Sequence, residues 1–289
     1  MKNIHVGLGS LLNAVFKALV ANPIIFYPFF VLGFIQFLLL EIIYFIPRYP
    51  LSELFGPIIV KTAGPVFLHY PYNYLLLFKW FHGVEVFIAI FISCIFYGAL
   101  VLIISLVDSG KPVDLRQVFR QVFSSYIHLA AAMILAVILF QSLIFLLGLV
   151  LKRALLIRST VGVYFLIKRL LIISFAYLQF LSACIVTTLF AFVVPIIMLE
   201  QKKIIAAVKL NFTQYSRLFG LIIGVVITSG VLYLPFIFLR SIQTSEMILK
   251  APEVSGLFLA LSVLMMLLIS VIQYTAVTLC YLLVKEVPL

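Results

Sequence analysis

The sequence predicts an all-α integral membrane protein, in which six transmembrane helices form three repeats of an interfacial amphipathic helix followed by a helical hairpin. Hydrophobic residues make up 65% of the 289 positions and charged residues only 10%, whereas soluble domains have about half and about a quarter. A soluble domain of this length cannot bury so much apolar surface. Several apolar runs also reach the length of about 20 residues that a bilayer span needs. The protein is therefore integral to a membrane.

The repeats are indicated by one pattern that occurs three times, with offsets of 3, 4, 7 and 11 residues from its first position. The three sets are Leu12, Val15, Phe16, Leu19 and Pro23; Leu115, Val118, Phe119, Val122 and Tyr126; and Ile204, Ala207, Val208, Asn211 and Tyr215. Each set is followed by an apolar run, a loop and a returning apolar run. We therefore expect a single membrane domain over 1–289, built of units at about 1–107, 108–199 and 200–289. All three surface helices and both termini then lie on one face.

The first unit opens with an amphipathic helix that ends at Asn22, because the residue before a proline is disfavoured in a helix. No small-residue cleavage site follows, so we expect this helix to lie along the interface rather than to act as a signal peptide. The two spans of this unit are predicted at 24–46 and at about 84–107. Between them, 47–81 carries five prolines interleaved with aromatic residues. This composition predicts a segment that is folded onto the membrane surface or dips partly into it.

The surface helix of the second unit is predicted at 115–126. Asp114, with Gln117 three residues later, is a variant of the capping box that starts helices. An apolar stripe runs along one side of this helix, and Arg116 and Arg120 lie opposite it. This pattern is typical of a helix that lies on a membrane surface.

The spans of the second unit are predicted at 127–150 and at roughly 170–199. The apolar piece between them, at 154–167, is too short to span and contains Arg158, so it predicts another interfacial helix. The fourth span is long enough to tilt or kink, and Pro195 is the position where we expect the kink.

The third unit follows a turn at Glu200 and begins with a surface helix at 204–215. Its spans are predicted at 217–239 and 257–284, joined by a short polar loop at 241–256. Pro195 and Glu200 flank the passage from the second unit to the third, and both are candidate hinge or functional positions. The basic residues on the surface-helix side are candidates for lipid contact, namely Arg116, Arg120, Lys202, Lys203 and Lys209.

The net charge of +11 at pH 7 is dispersed over the ends of the apolar runs. That placement suits anionic lipid head groups rather than the phosphate-tracking groove of a nucleic-acid-binding protein, so we expect no nucleic-acid partner. The basic residues do not set the orientation, because ten of them fall on each side of the predicted bundle. Cys94, Cys184 and Cys280 all lie in apolar runs without paired spacing, which indicates small buried residues rather than metal ligands or disulfides.

Residues 192–219 resemble a known family of six-span membrane proteins. An aromatic residue, two valines and Pro195 precede Ile-Ile-Met-Leu-Glu200, and a basic amphipathic helix then ends in Tyr-Ser-Arg217. With the Gly110-Lys111-Pro112 turn and the helix after it, this arrangement is similar to the membrane domain of glycerophosphoryl diester phosphodiesterases. The resemblance covers roughly 80–289. It implies six spans in the plasma (inner) membrane, with the termini and surface helices in the cytoplasm.

The phosphodiesterase activity itself is not implied, because in such enzymes it resides in a separate soluble barrel for which this chain has no room. None of the four histidines lies near a cluster of carboxylates that would hold a divalent metal. Neither a glycine-rich phosphate loop nor a nucleophile elbow occurs. We therefore expect no enzymatic activity and no cofactor.

Two functions remain open. The sequence favours a non-enzymatic membrane scaffold or accessory subunit that contacts lipids, with anionic head groups and a protein partner in the membrane as its partners. The alternative is a transporter or permease for a lipid-like or small apolar substrate, which the repeats support. A pathway for a polar solute needs polar groups deep in the bundle. The candidates are Gln36, Glu41, Gln141, Gln179 and Gln273. Glu41 is the only acid well inside an apolar run, which makes it a functional candidate by default. It lies about one and a half turns from the end of its span, so it can also reach the interface or a neighbouring polar group, and the sequence favours this structural role.

Overall fold

The computed structural model describes residues 7–156, 163–242 and 245–285, and the regular structure in that part of the chain is helical. The α-helices are α1 (Leu8–Ala21), α2 (Tyr27–Phe45), α3 (Leu51–Thr62), α4 (Asn73–Phe91), α5 (Ser93–Asp108), α6 (Leu115–Ser124), α7 (Tyr126–Leu155), α8 (Val163–Leu189), α9 (Val193–Glu200), α10 (Ile204–Gln214), α11 (Phe219–Gly230), α12 (Leu234–Ile242), α13 (Ser245–Lys250) and α14 (Pro252–Lys285). Short 3-10 turns lie at Pro23–Phe26, Pro65–Leu68, Ser216–Leu218 and Val231–Tyr233.

Six helical stretches among these residues are long and apolar enough to cross a membrane, which confirms the predicted fold class. They are Pro23–Phe45, Asn73–Phe91, Tyr126–Leu155, Ser174–Glu200, Ser216–Leu239 and Pro252–Lys285. A backbone inside a bilayer must satisfy its own hydrogen bonds, and a helix does so within one segment. All the predicted spans except the second agree with these bounds to within five residues.

The bounds predicted for the second span, 84–107, are wrong. α4 begins already at Asn73 and ends at Phe91, and Ile92 separates it from α5. The helix begins early because Pro71 is the last proline of the preceding segment, so every later residue can donate its backbone N–H. The segment predicted to fold onto the surface therefore stops short of residue 81, and it contains the helix α3.

The separate interfacial helix predicted at 154–167 is also not found in the described part of this region. α7 instead continues through Lys152 and Arg153 to Leu155, and α8 begins at Val163. Long basic side chains near a helix end extend toward the interface, so they do not force the helix to stop. Arg158 lies outside the described residues.

The polar loop predicted at 241–256 is largely helical. It contains α13 and the first turn of α14, which extends the sixth span beyond its predicted start at residue 257. α14 begins at Pro252. A proline fits the first position of a helix, because the N–H that it lacks has no helical partner there.

The fourth span is interrupted where a kink was predicted. α8 ends at Leu189 and α9 begins at Val193, so the break falls about one turn before Pro195. A proline ring clashes with the carbonyl four residues earlier, which here belongs to Ala191 inside the break. Whether the break acts as a hinge stays a prediction.

α5 lies at the centre of the bundle, where ten of its sixteen residues are buried. It packs against α2, α4, α6, α7, α9 and α14. A methyl group added at Gly98 would lie 3.0 Å from Leu129, 3.3 Å from Val122 and 3.4 Å from Met198. Glycine at this position therefore allows α5, α6, α7 and α9 to meet.

The three predicted surface helices are α1, α6 and α10, and each leads directly into a span. Their buried residues are Leu11, Val15 and Leu19 in α1, Val118 and Val122 in α6, and Ala207 and Asn211 in α10. Phe16, a member of the first apolar set, is exposed, and so is Phe123 of α6. The buried faces of these helices are thus narrower than the sequence pattern indicated. That the three parts are related units stays a prediction.

Candidate functional site

The break between α8 and α9 is completed by a side chain from α10. Asn211 Nδ2 donates to the carbonyl oxygen of Leu189 at 2.7 Å, and Asn211 Oδ1 accepts from the backbone N–H of Phe192 at 3.2 Å. In a continuous helix the Val193 N–H would donate to the Leu189 carbonyl, but here it donates to the carbonyl of Phe190 at 3.1 Å. The Leu189 carbonyl can therefore accept from the side chain of Asn211. Asn211 is 0% exposed. One carboxamide therefore satisfies a donor and an acceptor that the broken helix leaves open.

Aromatic rings connect this break to the end of α14. The ring of Phe192 lies 5.1 Å from that of Tyr215, and the ring of Tyr215 lies 5.2 Å from that of Tyr281. The hydroxyl of Tyr281 donates to Glu200 Oε1 at 2.5 Å. We call Phe192, Glu200, Asn211, Tyr215 and Tyr281 the α9 junction, because together they fix both ends of α9.

Glu200 is the last residue of α9 and the member of the α9 junction that lies at that end of the helix. Its Oε1 also lies 3.9 Å from Lys285 Nζ, and the next residue, Gln201, has a left-handed φ of 53° that ends α9. The predicted turn at Glu200 is therefore present. Burial raises the pKa of the Tyr215 hydroxyl above its ordinary range, so this phenol stays protonated near neutral pH. The arrangement holds α9, α10 and α14 together.

A small cavity lies beside the break, between α7, α8, α9 and α14. Its volume is about 100 Å³. Its lining residues are mainly apolar, and the polar ones are Thr187, Gln273 and Tyr274. Gln273 Nε2 donates to Ser229 Oγ at 3.0 Å and to the carbonyl of Val226 at 3.3 Å. This amide thus joins α14 to α11 at the edge of the cavity.

The other polar candidates do not meet at one site. Glu41 is exposed on α2, in its last turns, and Gln141 is exposed on α7. Gln36 is half-buried, and its Oε1 has no hydrogen-bond partner. None of these three residues lines the cavity beside the break.

The predicted lipid-contact residues, in contrast, all lie on the surface of the bundle. Arg116, Arg120, Lys202, Lys203 and Lys209 are all exposed. Ion pairs among the described residues involve none of them. The side chain of Asp114 accepts from the Arg116 N–H at 3.0 Å, which confirms Asp114 as the helix cap.

α6 and the turn after α9 lie at the same end of the bundle. Gln121 Nε2 donates to the carbonyl oxygen of Met198 at 3.5 Å. Gln121 directly follows Arg120, and Met198 lies four residues before Lys202. The two groups of basic side chains therefore flank one contact between α6 and α9.

The sequence reasoning missed the roles of Asn211 and Tyr281. A signal for Asn211 was present, because it occupies the apolar-stripe position held by Leu19 and Val122 in the other two sets. A buried amide at such a position requires partners. Tyr281 gave no such signal, since tyrosine is common near the ends of spans.

Among the described residues, no group of three or more His, Cys, Asp or Glu side chains is placed to hold a metal ion. Cys94, Cys184 and Cys280 are buried thiols without a disulfide. No protein-family model, curated protein or solved structure matches this chain, so the resemblance to the membrane domain of glycerophosphoryl diester phosphodiesterases stays a prediction.

Proposed function

We propose that this protein is a non-catalytic membrane scaffold or accessory subunit whose surface helices bind anionic lipid head groups. The observation that carries the proposal is the set of exposed basic side chains on α6, on the turn after α9 and on α10, which have no ion-pair partner among the described residues. Each Lys or Arg near an anionic membrane surface contributes about 1 kcal/mol of attraction. Five such residues together attract a layer of anionic lipid head groups.

Exposed apolar side chains next to these bases support the same conclusion. Phe123 is 59% exposed and lies one turn beyond Arg120, and Ile205 is 81% exposed between Lys203 and Lys209. Interfacial helices bind by placing apolar groups at the boundary of head groups and acyl chains while basic groups contact phosphates. The surface helices have both kinds of group on their free sides.

Transport of a lipid-like or small apolar substrate is the second candidate function, and the cavity beside the α8–α9 break is the observation that favours it. The cavity measures about 100 Å³, whereas pockets for drug-sized ligands have about 300–1,000 Å³. A lipid molecule does not fit this volume without a large rearrangement of α9. The scaffold is therefore the better supported function.

Replacing Arg116, Arg120, Lys202, Lys203 and Lys209 together by glutamine is expected to reduce binding of anionic lipid at least about tenfold. The full-length protein would be reconstituted into nanodiscs of mixed zwitterionic and anionic lipid. Enrichment of a fluorescent anionic lipid around the protein would then be measured by energy transfer at low salt, where screening is weak.

The matched control for this experiment is the pair Lys152→Gln and Arg153→Gln, which removes exposed basic groups from the end of α7. The control removes two exposed bases rather than five and is expected to lower the enrichment by much less than the five-residue variant does. Unchanged enrichment in the five-residue variant would overturn the lipid-binding proposal. Movement of the labelled lipid between leaflets in wild-type vesicles, with no enrichment, would favour the transporter instead.

A further inference from the structure

α7 is less enclosed by the bundle than any other span in the described part of the chain. None of the residues in its most apolar stretch is buried, whereas 28% to 61% are buried in the corresponding stretches of the other spans. Exposed residues follow one side of the helix at Ile134, Ile138, Gln141, Phe145 and Leu149. This spacing of three and four residues forms a continuous stripe along the helix.

Gln141 lies near the middle of this stripe and deep in the membrane. It is 15 residues beyond Tyr126 and 11 before Lys152. These separations correspond to about 22 Å and about 16 Å along a helix. A hydrocarbon core is about 30 Å thick, so Gln141 lies inside it. No charged residue occurs between Ile134 and Val150.

The carboxamide of Gln141 makes no hydrogen bond within the described chain. The neighbouring Ser142, in contrast, donates to the carbonyl of Ile138 at 2.8 Å and is satisfied within its own helix. Lipid tails offer neither donors nor acceptors to an amide. A polar side chain at this depth is therefore stabilised by a hydrogen bond from a neighbouring helix, and no described helix of the same chain supplies one.

We propose that two copies of this chain pair through the exposed stripe of α7, with the two Gln141 side chains hydrogen-bonded across a two-fold axis. A shallow groove of about 510 Å³ along α7, lined by Val137, Ile138, Gln141, Ser142, Phe145 and Leu146, leaves room for the facing helix. Helices in membranes pack through such stripes at a small crossing angle.

A second copy is the partner that this face fits, because its chemistry is self-complementary. In a two-fold interface, a residue near the axis faces its own equivalent. A carboxamide can donate its N–H to an identical carboxamide and accept from it in return. A partner recognised by charge is excluded by the absence of ionisable groups along the stripe. The face is also separate from the α9 junction and from the basic surface helices, so pairing leaves both free.

The test is energy transfer between two labelled populations of full-length protein in lipid vesicles, as a function of protein-to-lipid ratio. The wild type is expected to dimerise, and Gln141→Leu is expected to lower the association constant about tenfold. Gln141→Asn keeps an amide and is expected to retain most of the association. Because Gln141 is exposed on the helix, neither substitution disturbs the packed bundle.

Cysteine cross-linking locates the contact independently. Ile138→Cys, at a position 57% exposed on α7, is expected to form a disulfide between copies. Leu264→Cys, at a position 43% exposed on α14, is the matched control and is expected to form none. A monomeric wild type, an unchanged association constant in Gln141→Leu, or cross-linking through α14 instead of α7 would each overturn the proposal.

Discussion

Replacing Asn211 by leucine is expected to lower the free energy of unfolding by about 3 kcal/mol, because two buried backbone groups then lose their partner. Asn211 is fully buried and bonds to both the Leu189 carbonyl and the Phe192 N–H. Leucine has a similar volume but neither donates nor accepts a hydrogen bond. The substitution leaves no cavity, so the decrease in unfolding free energy measures the loss of the two Asn211 hydrogen bonds.

The unfolding of Asn211→Leu would be followed in mixed micelles by titration with a denaturing detergent. Thr213→Val is the matched control on α10, because Thr213 is exposed and its hydroxyl bonds only within its own helix, to Lys209 and Leu210. The control is expected to change stability by less than about 0.5 kcal/mol. An equally small effect of Asn211→Leu would show that the break does not depend on α10.

Gly98→Leu is expected to destabilise the protein by about 3 kcal/mol or to prevent the native packing from forming. Even a methyl group at Gly98 would come within 3.0 Å of Leu129. A leucine adds three further carbons where α5, α6, α7 and α9 already touch. Because interiors are close-packed, the helices have to move apart to admit them.

Gly83→Leu is the comparison for this substitution, since a side chain at Gly83 meets nothing within 4 Å. Gly83 lies inside α4, so leucine there improves helix propensity and is expected to be neutral or slightly stabilising. Both variants would be compared by the same detergent titration and by protease resistance. Equal stability of the two variants would contradict the close four-helix contact at Gly98.

The helices α1, α6 and α10 and five of the six spans were predictable because their signals are local. Asp114 marks the start of α6, and the alternation of apolar residues with Arg116 and Arg120 defines its two faces. The break at Ile92 was not predictable, since neither proline nor glycine lies near it. The sequence alone also does not indicate that α5 occupies the centre, because all the spans are strongly apolar.

The candidate site was predicted in part. Glu200 was identified as a turn between units, but its partner Tyr281 lies 81 residues away in the chain. Such pairings depend on how helices are arranged, which local periodicity does not encode. Glu41, chosen because an acid is costly inside a bilayer, lies exposed on α2 and away from the α9 junction. Composition thus located the apolar spans more reliably than the internal contacts.

The α8–α9 break has a consequence for the order in which the protein is made. Asn211 follows Leu189 by 22 residues and Phe192 by 19, so the amide that completes the break is synthesised after both. Until α10 emerges, the break between α8 and α9 has two backbone groups without a hydrogen-bond partner, which hydrocarbon disfavours. We expect a chain stopped after Gln201 to leave α9 near the interface, where a Met198→Cys thiol reacts with a water-soluble maleimide. In the complete chain, where Met198 is buried, the same thiol is expected to be protected. Synthesis of α10 would then complete the packing of α9 into the bundle.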